Sequence, residues 1–161
     1  MLGVCREAAA SQPRLDRRLD HLRSDPAGDL DGRTIRGVER KVLPDEADDI
    51  APDGSEVRPL ARGSKGGMAH FRLAPGETSI AKRHRSVEEL WYFTGGRGEM
   101  CIGDEVTEVG AGVSLRIPPA TRFQFRSRGP DPLEAVAVTM PPWPGPDEAL
   151  DAEPYWPSDI G

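Results

Sequence analysis

The chain has 161 residues, 30% charged and 37% apolar, with a net charge of -6. That is one domain's worth of soluble, acidic protein, and it excludes the basic surface that a nucleic-acid binder needs. Nowhere do about 18 apolar residues run together to span a bilayer, and the opening MLGVCREAAASQPR has no signal-peptide apolar stretch, so the expectation is a cytoplasmic protein without a membrane partner. Cys5 and Cys101 sit in unlike contexts, a polar leader and an apolar strand pattern, and are not expected to pair.

In chain order, residues 1–36 form a charged leader, expected to be poorly ordered, with one helical fragment in which Leu15, Leu19 and Leu22 share a face and His21 is solvated. Its removal is expected to leave a folded domain. The acidic run at residues 45–53 reads as a solvated loop. From about residue 37 to 140 the apolar period moves toward two. KGGMAHFRLAPGE reads as a strand ending at Pro75-Gly76, and ELWYFTGGRGEMCIGDEVTEVGAG as successive strands turning at Gly95-Gly96 and Gly103-Asp104. VSLRIPP, FQFRS and LEAVAVTM add three more. Short strands punctuated by glycine and proline predict an all-β barrel or double sheet. Residues 141–161 form a Pro-rich tail unsuited to a central strand, whose Trp143, Tyr155 and Trp156 are expected to pack on the barrel or on a partner subunit.

The segment PGETSIAKRHRSVEELWYFTGGRG resembles the first motif of the cupin superfamily, with Gly76, His84, Glu89 and Gly96 at the motif's positions. GAGVSLRIPPATRFQFRS resembles the second motif through Gly112 and Pro118. The resemblance implies an all-β, jelly-roll-like double-stranded β-helix, commonly a homodimer. It also implies a divalent metal held by two histidines and a glutamate of the first motif and a histidine of the second. This chain departs there: Lys82 stands at the first histidine position and Phe123 at the last, leaving His84 and Glu89. A phenyl ring offers no lone pair, and an ammonium about 4 Å from a cation is repelled by roughly 4 kcal/mol per unit charge at an effective dielectric near 20. Catalytic metal sites usually use three protein ligands, so no metal and no other cofactor is expected.

Strand alternation puts Lys82 with His84, Phe123 with Phe125, and Glu89 with Trp91 and Phe93. In the resembled frame these line one cavity: Lys82, His84 and Glu89 at its polar end, Trp91, Phe93, Phe123 and Phe125 as apolar wall. Lys82 and Glu89 could instead be a buried ion pair filling the metal's place, His84 a core histidine, and the phenylalanines core. Glu88, Arg83 and Arg85 are expected to point away from this set, and Arg116 and Arg122 to be surface residues. His70 is structural unless its strand turns toward His84. Three functions follow: a binder of a small acidic or aromatic metabolite, a metal-independent isomerase, cyclase or lyase using His84 and Lys82, and a metal-dependent cupin such as a dioxygenase. Whether there is turnover is left open by the residues.

Overall fold

The computed structural model describes residues 38–160. The leader fragment with Leu15, Leu19, His21 and Leu22 lies outside them. Eleven strands form two antiparallel sheets. In chain order they are β1 (Asp49–Ile50), β2 (Glu56–Arg62), β3 (Gly67–Leu73), β4 (Lys82–His84), β5 (Glu88–Gly95), β6 (Arg97–Ile102), β7 (Glu105–Gly110), β8 (Ser114–Ile117), β9 (Arg122–Ser127), β10 (Leu133–Met140) and β11 (Ala149–Asp151). One sheet runs β1-β2-β3-β10-β5-β8 and the other β11-β4-β9-β6-β7. This is an all-β, cupin-type double-stranded β-helix. Among the described residues, no helix is long and apolar enough to cross a membrane.

Alternation builds the core. Along β5, Glu89, Trp91 and Phe93 are buried while Leu90 and Tyr92 are exposed, and along β10 Leu133, Ala135, Ala137 and Thr139 are the buried positions. These inward residues meet Met100, Phe123 and Phe125 from the facing sheet. Phe93, Phe123 and Phe125 are fully buried, each contributing on the order of 2–3 kcal/mol of apolar burial.

The hairpin joining β5 to β6 shows why the motif closes on glycine. Gly96 has φ +71°, and a Cβ there would sit 2.1 Å from the Pro132 carbonyl oxygen. Only a residue without a side chain fits both constraints.

One segment departs from expectation, and a second takes a form that the sequence did not specify. The acidic run at 45–53 is not simply a solvated loop: Asp49 and Ile50 pair with Val57 and Glu56, and Ala51 and Asp53 are buried. The backbone turns back at Gly54, so that Asp53 accepts from the amide and hydroxyl of Ser55 and replaces water with protein donors. The Pro-rich tail supplies an edge strand, β11, pairing Ala149, Leu150 and Asp151 with His84, Arg83 and Lys82. Beyond it Gln124, with no exposed surface, donates to the carbonyls of Ser79 and Trp156 and accepts from the amides of Tyr155 and Trp156. Trp156 also lies under the Arg126 guanidinium, 4.3 Å from the ring centre.

Candidate functional site

Between the sheets lies a cavity of about 530 Å3. Its wall is mostly apolar, with Phe71, Trp91, Phe123 and Trp143 as rings and Val57, Leu60 and Met68 among the aliphatic side chains. Lys82, His84, Glu89 and Asp53 supply polar groups. Of the seven residues singled out from the sequence, five line this space. Phe93 and Phe125 do not: they lie behind Trp91, their ring centres 5.9 and 5.3 Å from its own, inside the core. They share the inward face with the wall residues but sit deeper in the barrel.

His84 sits on β4 with Arg83 and Arg85 turned out, as three-residue alternation requires. Its ring packs edge-on against Phe123 and Trp143, each centre 5.1 Å away. Its Nδ1 is buried without a hydrogen-bond partner and stands 3.8 Å from Glu89 Oε1. Glu89 gives its other oxygen, Oε2, to the Trp91 indole N–H at 2.8 Å. Burial pushes the Glu89 carboxyl up to about 7, helped by the nearby Asp53 charge and opposed by the Trp91 hydrogen bond. Burial likewise brings His84 down to about 4, against the pull of Glu148. Below about pH 7 both groups are neutral until His84 protonates near 4, by which point Glu89 already holds its proton. The 3.8 Å contact is therefore not an ion pair; it is a hydrogen-bonding site short of one member.

Asp53, missed in the sequence because it ends an acidic run, presents a third buried polar group, its carboxyl raised by burial against the two Ser55 hydrogen bonds. Lys82 does not pair with Glu89. Its Nζ is 2.6 Å from Asp151, the residue directly opposite it on β11, and that exposed carboxylate takes its charge at the cavity's edge. Trp143 is anchored from both sides of its backbone, its amide donating to Thr139 Oγ1 and its carbonyl accepting from Arg62. Glu148, also unforeseen, holds the neighbouring turn. One of its oxygens accepts from the amides of Ser86 and Val87 at 2.6 and 2.8 Å, seating Pro146 and Ala149 in the cavity wall.

Of the other residues weighed, Glu88 and Arg116 pair with each other on the outer face at 3.1 Å, and Arg122 binds Asp104 and the Gly103 carbonyl. His70 points away from His84. On β3 its neighbours Ala69 and Phe71 line the cavity, whereas His70 lies on the opposite face beside Arg58 and Glu134, beneath residues 43–47.

A divalent metal does not fit this donor set. His84 and Glu89 are two donors, the facing positions hold an ammonium and a phenyl ring, and His70 is on the wrong face. Among the described residues, no three His, Cys, Asp or Glu side chains come together as a metal site.

Comparison with known proteins agrees with this architecture. The Cupin domain family model matches residues 69–139. The uncharacterized protein MJ1618 of Methanocaldococcus jannaschii is 30% identical over 115 residues, which cover 66% of this chain and 92% of that one. The chain belongs to the cupin superfamily. Among solved structures, a conserved protein with a double-stranded β-helix domain from Klebsiella pneumoniae superposes with a TM-score of 0.58 at 18% identity, over 72% of this chain and all (100%) of that one. A variant of Streptomyces PAC13, solved with uridine, gives 0.59 at 14% identity over 72% and 92%. Both likenesses are of fold.

Proposed function

We propose that this cupin binds a small molecule with a flat ring inside the barrel, gripped by His84 and Glu89, without a tightly held metal. The observation that carries this reading is the aromatic-walled cavity of about 530 Å3 ending in two unfilled hydrogen-bonding atoms, His84 Nδ1 and Glu89 Oε1. Apolar walls with a few inward polar groups are the usual make-up of such sites. Of the acidic and aromatic ligands that the sequence suggests, the aromatic class is the better match: Asp53 and Glu89 offer an anion no positive charge, and Lys82 is already neutralised by Asp151. Thermal shift over a panel of ring compounds tests this, beginning with uridine, the ligand seen with PAC13. A binder should raise the melting temperature of the native protein and not that of His84→Ala. A panel without a hit, or equal shifts in both proteins, would count against it.

One observation favours a second reading as a metal-independent isomerase, cyclase or lyase. A base near 4 beside an acid near 7 gives a pair in which, at neutral pH, His84 is free to accept a proton and Glu89 to give or take one. Lys82 would stabilise negative charge developing on a substrate oxygen only by leaving its exposed partner Asp151. Turnover of a bound compound, lost in both His84→Ala and Glu89→Gln, distinguishes this from binding alone. A metal-dependent dioxygenase lacks its third donor.

A further inference from the structure

Two buried carboxyls line the cavity, and among the described residues neither is in ion-pair contact with a lysine or arginine, although the Lys82 charge acts on Asp53. Asp53 and Glu89 are 5% and 3% exposed. The two cations on the cavity wall are otherwise engaged, Lys82 by Asp151 at 2.6 Å and Arg62 by the Trp143 carbonyl. Ser55 occupies only Oδ1 of Asp53, and Trp91 only Oε2 of Glu89. That leaves an oxygen on each, together with the buried Nδ1 of His84, 3.8 Å from Glu89 Oε1. The two carboxyl oxygens are acceptors when ionised, and His84 Nδ1 is one in the tautomer that carries its proton on Nε2. A primary ammonium has three N–H donors and no acceptor, and it is attracted to the faces of indole and phenyl rings.

We propose that the ligand is an amine, a protonated primary nitrogen on an apolar or aromatic body. Glu89 receives the nitrogen, Asp53 on the same cavity wall adds a second acidic group, and the body lies against the stacked Phe71 and Trp91 rings on one side and Trp143 on the other. This deepens, and rests on, the reading of the cavity as a ring-binding site. Burying an isolated carboxylate is costly, and an ammonium beside Glu89 offsets that cost where a neutral ligand does not. An acidic ligand gains nothing from either carboxyl and is opposed by each one that ionises. The Lys82 charge does not oppose the amine strongly, since Asp151 compensates it at contact distance.

Titration calorimetry of the full chain with three probes of one shape tests the inference: phenethylamine, its neutral counterpart phenethyl alcohol, and the acid 3-phenylpropionate. Phenethylamine should bind at least about tenfold tighter than the alcohol, with the acid weakest, a preference of the size that one desolvated charge contact supplies. In Glu89→Gln, which keeps the shape of the side chain, that preference should fall to within about threefold, whatever the change in the alcohol's own affinity. Asp53→Asn provides an independent second variant. Alcohol binding as tight as amine binding would overturn the inference and leave the cavity reading standing. Failure of all three probes in a folded protein would overturn both. One equivalent of Zn2+ or Mn2+ bound by chelator-treated protein and lost in Glu89→Gln would also overturn it, because a metal would then be the missing cation.

Discussion

Replacing Glu148 by alanine should cost about 3 kcal/mol, most of it from a single oxygen atom. That oxygen accepts from the amide of Ser86 at 2.6 Å and of Val87 at 2.8 Å, and the Ser86 hydroxyl adds a third bond at 3.1 Å. Hydrogen bonds to a charged group contribute roughly 1.5–3 kcal/mol each, and an orphaned buried donor costs about 1–3. Val87 is fully buried, so its amide cannot turn to water, whereas Ser86 is exposed and its amide can. The larger part of the loss therefore falls on Val87. Glu148→Gln keeps the acceptor without its charge and should cost only about 1 kcal/mol. For a chain of this size the alanine variant should melt roughly 10 °C lower. Burial alone would raise the Glu148 carboxyl, but the Ser86 and Val87 amides outweigh it and hold the group below its ordinary value. Its contribution is then present above the unfolded value of 4.5 and lost as pH falls through the folded one, so the gap between native protein and Glu148→Ala should close in acid. Urea denaturation at neutral and acid pH measures all of this. Equal losses in the Gln and Ala variants, or a gap that persists in acid, would refute the account.

Other outcomes follow from the same geometry. Gly96→Ala forces a Cβ to within 2.1 Å of the Pro132 carbonyl oxygen at positive φ and should cost at least about 2 kcal/mol by denaturation. The Glu89 carboxyl, raised to about 7 from 4.5, contributes stability that is complete below 4.5 and lost as pH rises through 7, so Glu89→Gln should overtake the native protein in alkali by up to about 3 kcal/mol. His84, lowered from 6.5 to about 4, runs the opposite way, its contribution present above 6.5 and lost as pH falls through 4, and its imidazole NMR signals should titrate near 4. Lys82→His with Phe123→His places imidazoles on paired β4 and β9 positions beside His84 and should create a divalent-metal site detectable by cobalt absorption.

The strands that the sequence revealed are those long enough to alternate and bounded by turns: β3 and β5 to β10 all fall within apolar-polar runs that end at glycine or proline. β2 was hidden by Pro59 in its middle, tolerated where its register with β3 shifts, and β1 and β11 are too short to show a period, whereas β4, equally short, was placed by the resembled motif. Alternation also tells which face a side chain takes but not how deep in the barrel it lies, which is why Phe93 and Phe125 fall behind the cavity that Trp91 and Phe123 line. Asp53 and Glu148 sit in acidic, proline-flanked stretches that read as solvent-facing. Each is buried because a turn brings backbone amides to its carboxylate, an event that charge patterning does not record. The aromatic tail was expected to pack somewhere. That Trp143 would land on His84 depended on Thr139 and Arg62, far away in sequence.

The anchoring of the tail at Gln124 has a consequence for the order in which the molecule becomes competent. Residues 143–156 are synthesised after every strand they touch. Until they dock, β4 has a free edge and Gln124 has only Ser79 to bond among the partners it finally acquires. The cavity at that moment lacks Trp143, Pro146 and Ala149 and opens sideways to water. On the proposed reading, the closed interior that would hold a ligand exists only once residues 143–156 have docked.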